Sequence, residues 1–374
     1  MKKIFVLVIT FFVIGLATVL AQGVQEPSKG KSKGSGKTPA PTATTQTAPV
    51  QNSVGNTAII LEDDETRMAE MKRRFRAIRC LSFNLENGGI LPEAAVYPNG
   101  MFSQAPSVSP PYRAGQAKPE VLQTALDALN FLRYIAGLNS DVVLDDELTD
   151  LMQHGAVLLT KVNQLTHYPA KPADMDQNFF NKGYKATSSS SISGYYMPDQ
   201  GMFSLADDNS RSNLEHVGHR RVALNRGMTK AGFGVGVGRF FLQKEVVSEN
   251  TIKDYDYMAW PKQGYFPSML ATGIWSLSVN ESQYGRPDIN KVKITMLNTN
   301  TGRECIMSKS NLTQWAYFNI NYSAYGRYDN VITFSPAFGD YDLYYLPGNE
   351  FQITVTGLKE DIKYMVKLFD IMKE

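Results

Sequence analysis

The chain has 374 residues, 43% of them hydrophobic, 20% charged and 11% aromatic, which excludes a wholly disordered, collagen-like or coiled-coil polymer. The 38 basic residues nearly balance 36 acidic ones, for a formal charge of +2, so no basic excess is available to hold nucleic acid. Two cysteines, Cys80 and Cys305, are too few for a disulfide scaffold or a thiolate metal site, and the length suggests two domains.

Lys2 and Lys3 precede an apolar run from Ile4 to Leu20, and Val19-Leu20-Ala21 ends it with small or apolar groups. That order predicts a secretory signal over 1–21, hence a secreted, extracellular or cell-surface protein; an uncleaved membrane anchor is the alternative. Residues 22–57 are rich in Pro, Ser, Thr, Gly and Lys, with almost no large apolar groups, so burial cannot offset the entropy of ordering them. They read as a disordered tether, or as a basic segment adhering to an anionic surface.

The next stretch, Asp63 to Leu85, places acids first and bases later, as a helix dipole favours. A second helix is expected from Pro119, with Leu122, Leu126, Leu129, Leu132 and Ala136 on one face and Gly137 ending it. A third runs from about Asp145 to Leu165. Beyond residue 170 the chain turns loop-like through Ser188 to Ser191, then permits a short helix between Asn213 and Asn225. Gly232, Gly234, Gly236 and Gly238 alternate with Phe233, Val235 and Val237, which on a strand leaves one face bare. No G-x-G-x-x-G fingerprint is present, so the bare face is expected to admit a packed neighbour, not a phosphate. From Gly264 the sequence reads as all-β, with about seven short strands separated by turn residues.

All four histidines, His154, His167, His216 and His219, fall between residues 154 and 219. Neutral imidazoles are common metal ligands and proton carriers, but neither H-E-x-x-H nor G-x-S-x-G occurs. His154 suits a helix-surface or capping role. His216 and His219 are spaced to share a helix face.

Four segments taken in order, ALNFLRYIAGL (128–138), LDDELTDLMQHGAVL, LTHYP (165–169) and NLEHVGHRRVALNRGMTKAGFGVGVG (213–238), resemble the CAP superfamily. This is the SCP domain of cysteine-rich secretory proteins, antigen 5 and plant pathogenesis-related proteins. Val217–Arg221 and the AWP-x-x-GYFP segment at Ala259–Pro267 look most like its bacterial branch. The resemblance implies an α+β protein: a CAP-type α-β-α sandwich over 58–262, with the amino-terminal helix, then an all-β, Ig-like sandwich over 263–374. It further implies a central cleft. His167 in LTHYP and His219 in VGHRR match the two family histidines, which in many members bind a divalent metal, so zinc is the candidate ion here. Where many relatives carry G-E-N-L this chain has SSSI, with Ser190 in the glutamate position. Asp207 or Asp208 stands for the second acid, Asp208 being the residue assigned to the cleft, and Leu129 replaces a helix histidine of many eukaryotic members.

Loss of one carboxylate argues against a complete catalytic set, so no catalytic residue is assigned. Arg220 and Arg221 either hold an anion in the cleft or bridge to Asp146, Glu147 or Asp207. The sequence thus leads to a secreted, non-enzymatic protein holding a small ligand (lipid, glycan or divalent metal) at His167, Ser190, Asp208 and His219. The alternatives are a metal-assisted hydrolase or peptidase, and a surface protein contacting a cell-surface or wall component through a CAP scaffold.

Overall fold

A computed structural model of the chain describes residues 64–86, 88–248, 255–312, 316–336 and 345–374. The expected signal (1–21) and tether (22–57) lie outside the described residues. The helices are α1 (Asp64–Arg76), α2 (Glu93–Val96), α3 (Pro119–Ile135), α4 (Asp146–Val162), α5 (Gln177–Thr187), α6 (Pro198–Asp207), α7 (Gly218–Ala223) and α8 (Glu281–Tyr284). The strands of the first half are β1 (Phe102–Gln104), β2 (Gln116–Ala117), β3 (Val143–Leu144), β4 (Ser191–Ser193), β5 (Met228–Val235) and β6 (Phe241–Val247). The second half holds β7 (Tyr257–Trp260), β8 (Gly264–Pro267), β9 (Trp275–Val279), β10 (Lys293–Asn298), β11 (Arg303–Met307), β12 (Tyr317–Asn321), β13 (Val331–Ser335), β14 (Glu350–Thr356) and β15 (Ile362–Phe369). The fold is therefore a mixed α+β one.

The local causes are ordinary. Proline at N1 starts α3, and glycine at positive φ follows its end at Gly137. The Asp145 carboxylate accepts the Leu148 N–H at 3.0 Å to cap α4, and Asp176 accepts the Phe179 N–H at 2.9 Å to cap α5, each worth about 1 kcal/mol. Helix α1 stops at Arg76, short of the expected Leu85. Helices α5 and α6 arise inside the stretch that the sequence presents as loop.

Strands β3, β5, β6 and β4 make a four-stranded sheet in that order, β3–β5 parallel and the others antiparallel. Its glycine face takes α4: a Cβ at Gly232 would collide with Leu148, and one at Gly234 with the Met152 carbonyl. The opposite face carries Phe233 and Phe241, their rings stacked 5.7 Å apart, against α6, where Gly201 lies on the Phe241 ring. Helices thus cover both faces, and the bare strand face is filled by helix.

The second half contains two sheets, β11-β10-β14-β15-β8 and β12-β13-β9-β7. All pairs are antiparallel except β15 with β8. Trp275 on β9 joins the sheets: its ring lies 5.7 Å from Phe351 of β14 and 6.2 Å from Phe334, and its indole N–H donates to Ala271 O at 2.9 Å. β7 belongs to the same sheet as β9 although it precedes residue 263. The described residues form one compact unit with a continuous hydrophobic core from Met71 to Ile371. Cys80 and Cys305 are not joined in a disulfide. Among the described residues no helix is long and apolar enough to cross a membrane.

Candidate functional site

An open cleft of about 750 Å³ lies between the loop after α4, the end of α5, β4, the end of α6 and the start of α7. His167, Ser190, Asp208 and His219, fifty-two positions apart at their extremes, all line it. The two imidazole rings face each other with centroids 6.5 Å apart and planes 34° apart.

Each ring is fixed through the same nitrogen. His167 Nδ1–H donates to Thr187 O at 2.8 Å, and the Thr187 hydroxyl returns a bond to His167 O at 3.1 Å, pinning the loop to the end of α5. His219 Nδ1–H donates to Asp208 Oδ1 at 3.0 Å. In the neutral ring an oxygen acceptor at Nδ1 leaves Nε2 as the lone-pair nitrogen; at His219 the same Nδ1 also lies 3.1 Å from Asn213 Nδ2. No hydrogen bond engages either Nε2 among the described residues.

Asp208 is held as firmly as the histidines. Its Oδ1 also accepts Asn213 Nδ2 at 2.7 Å, and its Oδ2 accepts the Arg220 backbone N–H at 3.2 Å. Asp208 closes α6 in the left-handed conformation at φ 46°, and Val217 enters α7 at φ 40°. Such conformations cost on the order of 1–3 kcal/mol each, and positive φ is particularly unfavourable for a β-branched residue. These two strained turns aim the Asp208 carboxylate and the His219 ring at each other. Asp207, one residue earlier, does not line the cleft. It sits half-buried beside Arg220, and burial pushes its carboxyl up to about 6 against the opposing pull of that guanidinium.

Ser190 lines the cleft with a buried hydroxyl that has no hydrogen-bond partner. Seven further serines line the same cleft, together with Asn209 and Asn213. His216 also lines it, stacked on Tyr325 at 5.4 Å, and burial pushes its imidazole below the usual range. Glu245 of β6 supplies an acid that the motifs did not indicate, its carboxyl raised by burial against the lowering effect of Lys244. Tyr168 stands 71% exposed at the rim. Of these additions, Glu245 had no distinctive local signal, since it follows Gln243 and Lys244 in a strand of mixed polarity. Tyr325 had none, because it comes from more than 100 residues beyond His219.

His154 lies elsewhere, on α4, donating Nδ1–H to Asp150 O at 2.7 Å against the Phe179 ring. Arg220 and Arg221 turn away from the cleft. Arg220 Nε donates to Ala206 O at 2.5 Å, Nη2 to Asp207 O at 2.6 Å, and Nη1 to Ile274 O and Ser276 Oγ at 2.9 and 3.0 Å. Arg221 Nη2 donates to Tyr328 O at 2.6 Å. Neither is an anion holder in the cleft, and neither makes an ion pair with Asp146 or Glu147. Leu129 is fully buried.

The donor set does not fit a resident zinc ion. Asp208 is engaged with the far nitrogen of His219, and among the described residues no group of three or more His, Cys, Asp or Glu side chains is placed to hold a metal, whereas zinc sites use three or four protein ligands. The arrangement offers instead two imidazole Nε2 atoms, serine hydroxyls, amides and an exposed aromatic face, with the Ser190 Oγ itself buried. Comparison of the chain with known protein families, with curated proteins and with solved structures finds no match.

Proposed function

We propose that this chain is a secreted, non-enzymatic protein of the CAP type that binds a small polyhydroxylated ligand, a glycan, in the cleft between His167 and His219. The carrying observation is the pair of imidazoles, anchored at Nδ1 and unbonded at Nε2, in one cleft with eight serines. Sugar hydroxyls need both donors and acceptors at fixed positions, and the exposed Tyr168 ring offers a face for the apolar side of a pyranose. A lipid would leave these polar groups desolvated without partners, at about 1–3 kcal/mol each. The four-stranded sheet with helices on both faces supports the CAP-type reading of the first half. The facing sheets joined by Trp275 support an Ig-like reading of the second, with the parallel β8–β15 pair as a departure.

The test is a glycan array followed by calorimetry on the oligosaccharides that bind. Wild type binds, and His167→Ala with His219→Ala weakens binding at least tenfold, about 1.4 kcal/mol. Absence of any bound glycan, or affinity untouched by the double substitution, overturns the proposal.

One observation favours a second reading, hydrolysis: Asp208 orients His219 as a carboxylate orients a general base. A nucleophile is lacking, since the Ser190 hydroxyl makes no bond to that ring. Turnover of a bound oligosaccharide that disappears in Asp208→Asn would select this reading.

A further inference from the structure

A second cavity, of about 370 Å³, lies at the end of α3 beside β7 and shares no lining residue with the histidine cleft. Lys262 is its unusual member. The ammonium lies against Gly137, close enough that a Cβ there would overlap Nζ. Burial, with the Arg67 charge nearby, lowers its amine to about 8.

A lysine at a helix C-terminus ordinarily satisfies the last carbonyls. Here they are already taken. Leu132 O accepts the Ala136 N–H, Arg133 O the Leu138 N–H and Tyr134 O the Gly137 N–H. The remaining carbonyl, Ile135 O, accepts Arg67 Nη2 at 3.1 Å. Lys262 makes no hydrogen bond, ion pair or ring contact among the described residues. A partly desolvated ammonium without an acceptor is costly, and the helix end does not relieve it.

The cavity supplies what such a cation lacks. Arg226 lines it, its guanidinium fixed 4.1 Å over the Tyr255 ring and donating Nη2–H to Arg327 O at 2.6 Å. Asn139 and Gln263 add amides. The charged and titratable groups around Lys262 are Arg67 from α1, Arg226 from the segment after α7, and Tyr255, Asp256 and Tyr257 at β7. Asp256 is the single acid among the lining residues, so the local balance is cationic.

We propose that this cavity binds a small oxyanion, a carboxylate or phosphate group, with Lys262 Nζ as its charge partner and Arg226 as the second cation. The site is independent of the glycan reading of the histidine cleft. Because the anion needs the ammonium form, its affinity is full below pH 8 and falls tenfold per pH unit above it. Reciprocally, a bound anion holds the proton on Lys262 and slows acylation of the amine.

Acylation of the wild-type chain at pH 8, read residue by residue by mass spectrometry, tests this in chloride, acetate and inorganic phosphate at equal ionic strength. Acetate or phosphate should slow labelling of Lys262 at least fivefold relative to chloride while other lysines are unchanged, and the more protective anion identifies the group. Calorimetry with that anion should show binding that Lys262→Met weakens at least tenfold, with the histidine cleft's ligand affinity preserved. Equal labelling of Lys262 in all three salts overturns the proposal, as does anion binding that survives Lys262→Met.

Discussion

Helix α7 builds two environments back to back. His219 turns into the cleft, where its outward nitrogen has no partner, while Arg220, the next residue, turns into the interior and donates four hydrogen bonds. On the cleft side valences are left open among the described residues: two Nε2 atoms and a rim tyrosine. On the interior side they are closed against the carbonyls of Ala206, Asp207 and Ile274. A protein that only needed a stable wall would have closed both. The contrast separates residues that hold the fold from residues that the proposed ligand would contact, and it ranks the effects of substitution.

The largest effect is expected on the closed side. Arg220→Ala leaves three buried carbonyls and the neighbouring carboxylates without their cation, and should cost roughly 3–5 kcal/mol of stability in denaturant titration. A loss under 1 kcal/mol would mean the interior network is not what braces α7. Next comes the glycine face of β5. Gly234→Ala drives a methyl into the Met152 carbonyl and should cost about 2–3 kcal/mol, whereas Gly194→Ala, with open space around it on the cleft wall, should change stability by less than about 0.5 kcal/mol.

Asp207 sharpens the comparison with the opposite sign. Its folded-state carboxyl titrates near 6, above the ordinary 3.8, so between these values the folded chain binds more protons than the unfolded one. Stability therefore falls as pH rises from about 4 to 6 and stays reduced above. Asp207→Asn should remove that slope and gain roughly 1–2 kcal/mol above pH 6, with little gain below pH 4, as followed by unfolding curves across pH. A smaller effect than that of Arg220→Ala belongs to the open side: His167→Ala and His219→Ala together should cost about 1–2 kcal/mol, roughly one lost hydrogen bond each, while weakening ligand binding at least tenfold. A loss as large as that of Arg220→Ala would place the histidines among the bracing residues.

How legible these features were depended on the kind of signal. The long amphipathic helices α3 and α4 and the alternating strands β9, β10, β12, β13, β14 and β15 have apolar periodicity that survives in the sequence. Helix α6 does not, because Pro198, Asp199, Gly201, Met202, Phe203, Leu205 and Ala206 are all buried and no polar stripe marks an outer face. Helix α5 hides for the opposite reason: its buried residues, Gly183, Ala186 and Thr187, are too small to look apolar. At the site, the resemblance of LTHYP and VGHRR to the CAP superfamily pointed to His167 and His219. Choosing Asp208 over Asp207 as the histidine's partner turns on the left-handed residue that ends α6, a backbone property that neighbouring aspartates do not advertise. Tyr325 and Glu245 reach the cleft only through tertiary packing.

The reach of Arg221 has a consequence for how the chain is made. Its guanidinium on α7 donates to Tyr328 O, and the Tyr328 hydroxyl donates back to Leu224 O at 2.8 Å, across more than 100 residues. During synthesis α7 leaves the ribosome well before these acceptors exist, so in a nascent chain halted near residue 262 the Arg221 guanidinium has water in place of the Tyr328 carbonyl. The amino-terminal half therefore completes these contacts only once residues near 328 have been made, and a half-length fragment should be less stable than the full chain.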